Sequence, residues 1–507
     1  MMRAFATVGL WTMLSRILGF VRDIMIAAFL GAGPVAEAFI VAFSLPNMFR
    51  RFFAEGAFNT AFVPMFSKKW QAGDDPEGFA RDAASGLGLI LIVFTLLAMA
   101  AMPWLVLAMA SGFLGDARYD LAVDYGRVAF PYILFISLAA LASGVLNAAG
   151  RFVAAAAAPV LLNMLFIGAL IGARALGWDA GRTLVWAVPI AGVAQLALVW
   201  VAARRAGVTL LPRWPRMTPE LKRLAIIAAP AALAGGVVQV NLIVGRQVAS
   251  FFEGAAAWLY YADRLYQLPL GVVGVAIGVV LLPSLSRRLQ DKDAEGGQQA
   301  LSTAFEMSMA LTLPAAVALV VIPLPLTSVL FVRGAFTMED ALPTALAVAI
   351  YGAGLPAFVL QKVLQPLYFA REDTRRPFRY AAAAMVVNAV LAIGLAPVIG
   401  FVAAAIGTTL AAWGMTWLLW RGSRGMGLEA ALNARARQRL PRIVAASAMM
   451  GVVLVAAGWV LADWLVVETV RYAALAALIA VGMMAYVVAA RLTGAFRLSE
   501  LKRDLRR

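Results

Sequence analysis

The sequence predicts an all-α polytopic membrane protein with about fourteen transmembrane helices, on three observations. Hydrophobic residues fill 63% of the 507 positions and charged residues only 14%, a balance that ordinary soluble domains do not show. Apolar runs of ~20 residues or more, the length of one bilayer crossing, recur between charged or Pro/Gly-rich breaks. The basic residues gather in alternate connections, as the positive-inside rule requires of a chain that weaves through a membrane.

In chain order the crossings fall near 4–30, 34–66, 84–112, 121–149, 154–175, 183–203 and 220–251, then 256–286, 300–331, 340–369, 378–397, 399–420, 442–463 and 470–490. The first run has no small-residue cleavage site leading into a soluble domain, so it reads as a retained helix rather than a signal peptide. The second, from Pro34 to Ser67, is longer than a bilayer needs and is expected to project beyond it on the cytoplasmic side. Pro46 within that run removes a backbone hydrogen bond and favours a kink.

The net charge of +16 follows from topology, with no role for nucleic acid. With the N-terminus cytoplasmic, inside loops hold Lys68, Lys69, Arg81 and Arg151, the 204–223 and 287–292 clusters, Arg371 to Arg379, Arg421 to Arg442 and the tail from Arg491. Outside connections keep Arg118, Arg174, Arg182, Arg333 and Arg471. Both termini are thus expected in the cytoplasm, the basic tail lying on anionic headgroups. The chain has no Cys and no His, which removes disulfides, thiolate nucleophiles, imidazole bases and His/Cys zinc sites. It also carries no GxxxxGK[ST] loop for direct ATP drive.

An internal repeat organises the chain. Phe29-Leu30-Gly31-Ala32 leading to Leu45-Pro46 recurs as Phe252-Glu253-Gly254-Ala255 leading to Leu268-Pro269, with the Gly-to-Pro spacing kept. Each copy opens a block of about six helices, and parallel repeats of this kind suit alternating-access transporters. The expected division is 1–205 for the first lobe, 206–420 for the second, and 421–507 for a basic loop, two further helices and a basic tail.

Arginines inside the apolar runs are the chemical signal: Arg16 and Arg22 in the first, Arg50 and Arg51 in the second, Arg264 in the eighth. A charge at mid-bilayer depth costs roughly 2.5–3.5 kcal/mol even on the lenient insertion scale. Such side chains therefore face water or a partner, and several together imply an anionic ligand. At ~100° per residue, Ser15, Arg16, Gly19, Arg22 and Asp23 fall within an arc of roughly 120° on the first helix. The competing reading is a structural Arg22–Asp23 ion pair with Arg16 snorkelling to headgroups.

On the second helix Glu37, Ser44, Arg51, Glu55 and Asn59 share a face if the helix is straight. The phase beyond Pro46 is open, so both Arg50 and Arg51 remain candidates. The eighth helix presents Tyr260, Tyr261, Asp263, Arg264, Tyr266 and Gln267 just before Leu268-Pro269, and the seventh carries Gln239, Asn241, Arg246 and Gln247. Lys362 and Gln361 are further polar candidates on the tenth, while Asp124, Arg127 and Glu306 read equally as structural or interfacial groups.

These residues carry a resemblance. Ser15-Arg16-Ile17-Leu18-Gly19-Phe20-Val21-Arg22-Asp23, then Gly31-Ala32-Gly33, then Leu45-Pro46-Asn47-Met48-Phe49-Arg50-Arg51 with Phe53-Ala54-Glu55-Gly56-Ala57-Phe58 form the first part. Tyr261-Ala262-Asp263-Arg264-Leu265 and Leu281-Leu282-Pro283-Ser284-Leu285-Ser286 form the second. Together they resemble the MurJ (MviN) lipid II flippases. The resemblance spans the whole chain and implies the superfamily of multidrug/toxin extruders and polysaccharide exporters, with two six-helix lobes around a central cavity. It also implies that 442–463 and 470–490 form a groove for a polyprenyl tail.

The same resemblance places the substrate-binding cations on Arg16, Arg22, Arg50 and Arg264, with Arg51 retained from the reading of the residues. Ser15, Asp23, Glu37, Glu55, Asp263 and Lys362 stand as supporting polar groups. Glu37 and Gln267 depart from the Asp and Glu of some relatives. Where some members bind sodium through carboxylates this chain has Gly245 and Ala392, leaving Asn388 and Thr408 as the remaining candidate ligands. With no formal negative charge there, the expectation is no cofactor and no tight sodium site.

The expected activity is translocation of lipid II, the lipid-linked peptidoglycan precursor, from the inner to the outer leaflet of the bacterial inner membrane. No covalent bond changes, so the chain is read as a transporter and not an enzyme. The expected partners are lipid II, the membrane and proteins of cell-wall synthesis or division. A drug, organic-cation or other polyprenyl-linked polysaccharide exporter of the same superfamily is the alternative. A drug or organic-cation exporter predicts a cavity dominated by Asp and Glu. A membrane glycosyltransferase would need a carboxylate pair, and a scaffold would leave the intramembrane arginines unexplained.

Overall fold

The computed structural model describes residues 2–50, 57–211 and 213–495, and of 2–7, 57–60, 229–242 and 272–280 it describes the backbone. Arg51 and Glu55 lie outside the described residues, as do the side chains of Asn59, Gln239 and Asn241.

The described residues form nineteen α-helices, and β structure among them is limited to a single antiparallel bridge between Arg333 and Phe336. The first crossing is α1 (Met2–Leu30), and the described residues of the long second run lie in α2 (Pro34–Arg50) and α3 (Ala57–Ala72). Then come α4 (Pro76–Ala100), α5 (Met102–Ala110), α6 (Ala117–Ala129), α7 (Tyr132–Ala148), α8 (Val153–Leu176) and α9 (Ala180–Arg205). Next are α10 (Pro219–Ser250), α11 (Ala255–Gln290), α12 (Ala294–Val321), α13 (Pro323–Phe331), α14 (Met338–Phe369), α15 (Arg375–Ile399) and α16 (Val402–Ser423). The last are α17 (Ala434–Val460), α18 (Ala462–Val466) and α19 (Arg471–Leu492).

Ten helical stretches among the described residues are long and apolar enough to cross a bilayer. The further crossings expected from the sequence fall on α1, α2–α3, α10 and α11, which carry the candidate polar groups or fall partly outside the described side chains. Broad exposed apolar faces suit a hydrocarbon surrounding. The apolar window of α15 has a mean hydropathy of 2.3 yet only 11% of it is buried, with Val390 and Ile393 65% and 62% exposed. In water such a surface would drive aggregation; in hydrocarbon it costs nothing.

Turns and caps stop the helices where the sequence supplies the chemistry. Asp75, Asp179, Thr218 and Asn433 accept first-turn N–H groups of α4, α9, α10 and α17, satisfying donors that a helix start leaves unpaired. Both copies of the repeat turn on a glycine in the left-handed region, Gly31 at φ 65° and Gly254 at φ 80°, a conformation glycine adopts without a Cβ clash. Pro46 and Pro269 each lie inside the helix that follows.

Two compact units are distinguished by their internal contacts: Met1–Ala257 with Arg333–Phe336, and Trp258–Val332 with Thr337–Arg507. In the first, α1 runs along α8, α2 along α6, and α9 against α7 and α8. α10, which the sequence places at the head of the second block, packs on α3 and α5 within this unit. The turn at 333–336 closes on the end of α1, with Ala335 N–H donating to Ala28 C=O at 2.8 Å.

In the second unit α16 packs on α14 and α15, and α12 on α14 and α17. The terminal pair α17 and α19 closes against α12 and α13 through Met450, Leu454, Leu475, Leu478 and Val329. The close approach uses small residues: a Cβ on Gly482 would lie 2.7 Å from Leu454, and one on Gly451 2.8 Å from Val317. Glu306 of α12 is buried and accepts from Arg439 of α17 at 3.2 Å, with Arg435 at 3.4 Å. Of its two readings the structure therefore shows a helix-to-helix tie.

Candidate functional site

The first unit assembles a polar cluster in the apolar part of α1. Arg22 and Asp23 are 8% and 2% exposed. The Arg22 guanidinium donates through Nε and Nη2 to Asp23 Oδ1 at 2.9 and 2.7 Å, and through Nη1 to Asn163 Oδ1 at 2.9 Å. Asn163, from α8, returns its Nδ2 to the Ser15 carbonyl at 2.9 Å and stands 3.4 Å from the Ser15 hydroxyl. Gly19 lies against this amide, and a Cβ there would be in ordinary contact with Asn163 Nδ2 at 3.5 Å. Phe166 lies 5.7 Å from the guanidinium and in turn meets Phe39 and Phe43 of α2.

The face read from the sequence as Ser15, Arg16, Gly19, Arg22 and Asp23 therefore closes on Asn163, except for Arg16, whose side chain is exposed. Asn163 was not singled out from the sequence, although it is the polar residue in the middle of an otherwise apolar run from Val153 to Ala173. The ion pair of the competing reading is present. It also has a chemical consequence: Asp23 occupies the Nε/Nη2 edge of the guanidinium, the fork that would otherwise grip a phosphate bidentately. An anion must therefore share or displace Asp23.

Arg50, in the last described turn of α2, is half-buried. Glu37, fully buried in the first turn of α2, accepts from Arg118 Nη1 of α6 at 3.0 Å and from Ala256 N–H at 3.1 Å. Its cation is thus Arg118, which the sequence places in an outside connection, whereas Asp23 is the carboxylate on Arg22. No spacing rule links Glu37 to Arg118, 81 residues apart.

In the second unit, Arg264 is half-buried on α11 with its guanidinium 4.5 Å from the Tyr260 ring centre. Asp263 is also half-buried and accepts from Gln267 one turn on. Tyr266 stacks against Phe358 and lies 5.2 Å from Tyr351 of α14. Lys362 is exposed on α14, while Gln361 beside it donates to Ala412 C=O at 3.0 Å. Asn388 is 1% exposed. The Thr408 hydroxyl is 3.5 Å from Asn388 Oδ1 but bonds Ala404 C=O more closely, at 2.9 Å.

Comparison with known proteins gives these clusters a family. The family model described as lipid II flippase MurJ matches residues 26–475. A probable lipid II flippase MurJ of Rhizobium meliloti is 42% identical over 100% of this chain and 96% of its own. One of Rhizobium tropici is 47% identical over 82% and 79%, and the lipid II flippase MurJ of Burkholderia cenocepacia 37% over 84% of each. Among solved structures, a lipid II flippase MurJ in an inward closed conformation shares the fold at a TM-score of 0.79 and 24% identity, covering 99% of both chains. An inward-facing multidrug-resistance MATE transporter of the MOP superfamily superposes at 0.68 with 15% identity, over 84% of this chain and 95% of its own. On the near-complete family match and the identity over its whole length, this chain belongs to the MurJ lipid II flippase family.

Proposed function

We propose that this protein moves lipid II, a polyprenyl-pyrophosphate glycopeptide, from the inner to the outer leaflet of the bacterial inner membrane by alternating access. The observation that carries this reading is the buried Arg22, held by Asp23 and Asn163 in a chain of this family. A charged residue buried in an apolar helix is costly and marks a binding site, and a pyrophosphate matches its planar fork once Asp23 yields it. Arg16, Arg50, Arg51 and Arg264 would add charge to the same task, with Ser15, Asp263, Glu55 and Lys362 as supporting groups. The lipid tail stays in hydrocarbon throughout.

Asp23 acts as the internal competitor. It keeps Arg22 satisfied when no substrate is bound, and re-forms the pair when the pyrophosphate leaves. A substrate shifts conformations only through differential affinity for the two states, so the pair is weaker in the state that loads substrate. A membrane potential negative inside favours outward movement of an anion by ~2.3 kcal/mol per charge per 100 mV. Asn388 and Thr408 offer no formal charge, so sodium has no role in this proposal. Both termini are placed in the cytoplasm, on the strength of the basic inside loops.

The test is complementation in cells depleted of their own flippase, reading lipid II in the outer leaflet. Wild type restores it, and Arg22→Ala at equal membrane level does not. Rescue by Arg22→Ala would make the buried arginine structural, and failure of wild type at good expression would turn attention to another exported lipid.

A further inference from the structure

Between α4, α7 and α9 the first unit has an open groove of about 400 Å³, within the size range of ligand sites. Leu89, Ile92, Leu134, Leu138, Leu196 and Trp200 form its walls. Leu89 and Ile92 are 50% and 46% exposed. Because α4 and α9 are both long and apolar enough to cross a bilayer, the medium along this groove is hydrocarbon.

One end is chemically different. Arg213, from the connection between α9 and α10, closes it. Its Nε and Nη2 engage the two Asp82 carboxylate oxygens, Nε at 2.5 Å from Oδ1, while Nη2 also donates to Gly78 C=O at 3.0 Å and the backbone N–H to Ser85 Oγ at 3.0 Å, so a further anion meets the remaining Nη1 edge. None of these bonds uses Nη1, and the side chain keeps 32% of its surface exposed. Trp214 and Met217 beside it are 87% and 77% exposed. An exposed Trp next to a basic residue marks the headgroup level of a membrane. Asp82 offsets the charge of Arg213 itself, but the segments 68–82 and 204–223 together hold nine basic and five acidic residues, so this end stays net positive.

We propose that the groove binds one acyl chain of an anionic membrane phospholipid, with the lipid phosphate on Arg213. The chain lies along Leu138 and Trp200, and the anchored lipid fills the space that side chains of α4, α7 and α9 leave open. Arg213 is already oriented by Asp82, Gly78 and Ser85, so binding the phosphate at Nη1 orders little that is not ordered before.

Full-length protein in phosphatidylcholine bilayers provides the test. Trp200 fluorescence, isolated by difference from Trp200→Phe, is quenched with either dibrominated phosphatidylglycerol or dibrominated phosphatidylcholine. The expected result is an apparent association about fivefold stronger for the anionic lipid, the scale of one basic contact at a membrane surface. Gly88→Phe should abolish that preference without unfolding the helix, because a Cβ at Gly88 meets only Leu138, at 4.0 Å, and then projects into the groove. Arg213→Gln should weaken it. Equal quenching by the two lipids, or a preference that survives Gly88→Phe, would overturn the proposal. So would displacement of the anionic phospholipid by a polyprenyl phosphate at lower mole fraction, which would assign the groove to an isoprenoid chain.

Discussion

Glu37 and Arg118 form an ion pair at 3.0 Å with 0% and 7% of their side chains exposed, tying the first turn of α2 to the first turn of α6. Each partner is satisfied further. The other Glu37 oxygen accepts from Ala256 N–H, while Arg118 Nε donates to Asp116 Oδ2 at 2.6 Å and the guanidinium stacks 4.5 Å from the Phe113 ring centre. A buried charge persists only when its partners are this complete.

Removing one side of that pair leaves the other charge uncompensated. Arg118→Ala is expected to destabilise the protein by about 3–5 kcal/mol, and the double change Glu37→Gln with Arg118→Met by much less. Thermal unfolding in detergent reads the difference. Equal losses in the single and double variants would show that the pair itself carries little coupling.

Arg22→Lys separates charge from geometry. A lysine keeps the positive charge but loses the fork that bridges Asp23 and Asn163. Outer-leaflet lipid II in depleted cells should fall about tenfold or more for Arg22→Lys, against ~1.4 kcal/mol for each factor of ten. Full activity of the lysine variant would mean that charge alone suffices.

Asn163→Leu removes the amide that links Arg22 to the Ser15 carbonyl. The loss of a hydrogen bond to a charged group is worth about 1.5–3 kcal/mol, so a drop of roughly tenfold to a hundredfold in flipping is expected at unchanged protein level. Asn163→Gln, with the same amide on a longer stem, should recover part of it. An unaltered rate in Asn163→Leu would remove Asn163 from the positioning of Arg22.

Gly31→Ala tests the turn rather than the chemistry. Gly31 sits at φ 65°, and an added Cβ would lie 2.5 Å from the Ala335 carbonyl oxygen. The strain and the clash together should cost more than about 1 kcal/mol, visible as a lower unfolding temperature. Gly33→Ala, with no atom within 4 Å of its added Cβ, is the control and should be near neutral.

Sodium replacement provides a fifth check. If Asn388 and Thr408 hold no working cation, exchanging sodium for potassium leaves lipid II transport in vesicles unchanged, and Asn388→Ala does not alter the response. A rate that collapses without sodium would show a working cation site, placed elsewhere in the chain if Asn388→Ala leaves that dependence unchanged.

Composition, run length and the alternation of basic loops were enough to determine an all-helical membrane protein, because a bilayer imposes length and hydropathy on every segment independently of its neighbours. The repeat was equally legible: Gly31 and Gly254 share a left-handed turn because the backbone there admits little else. So was the polar face of α1, since helical periodicity fixes which of its residues point together. What the sequence left open were the partners. The pairing of Glu37 with Arg118, the insertion of Asn163 between Arg22 and Ser15, the packing of α10 on α3 and α5, and the Arg213-capped groove all join residues far apart in the chain. Their proximity is set by helix packing, which periodicity within one segment does not encode, and so only the tertiary structure decided which buried charge answers which.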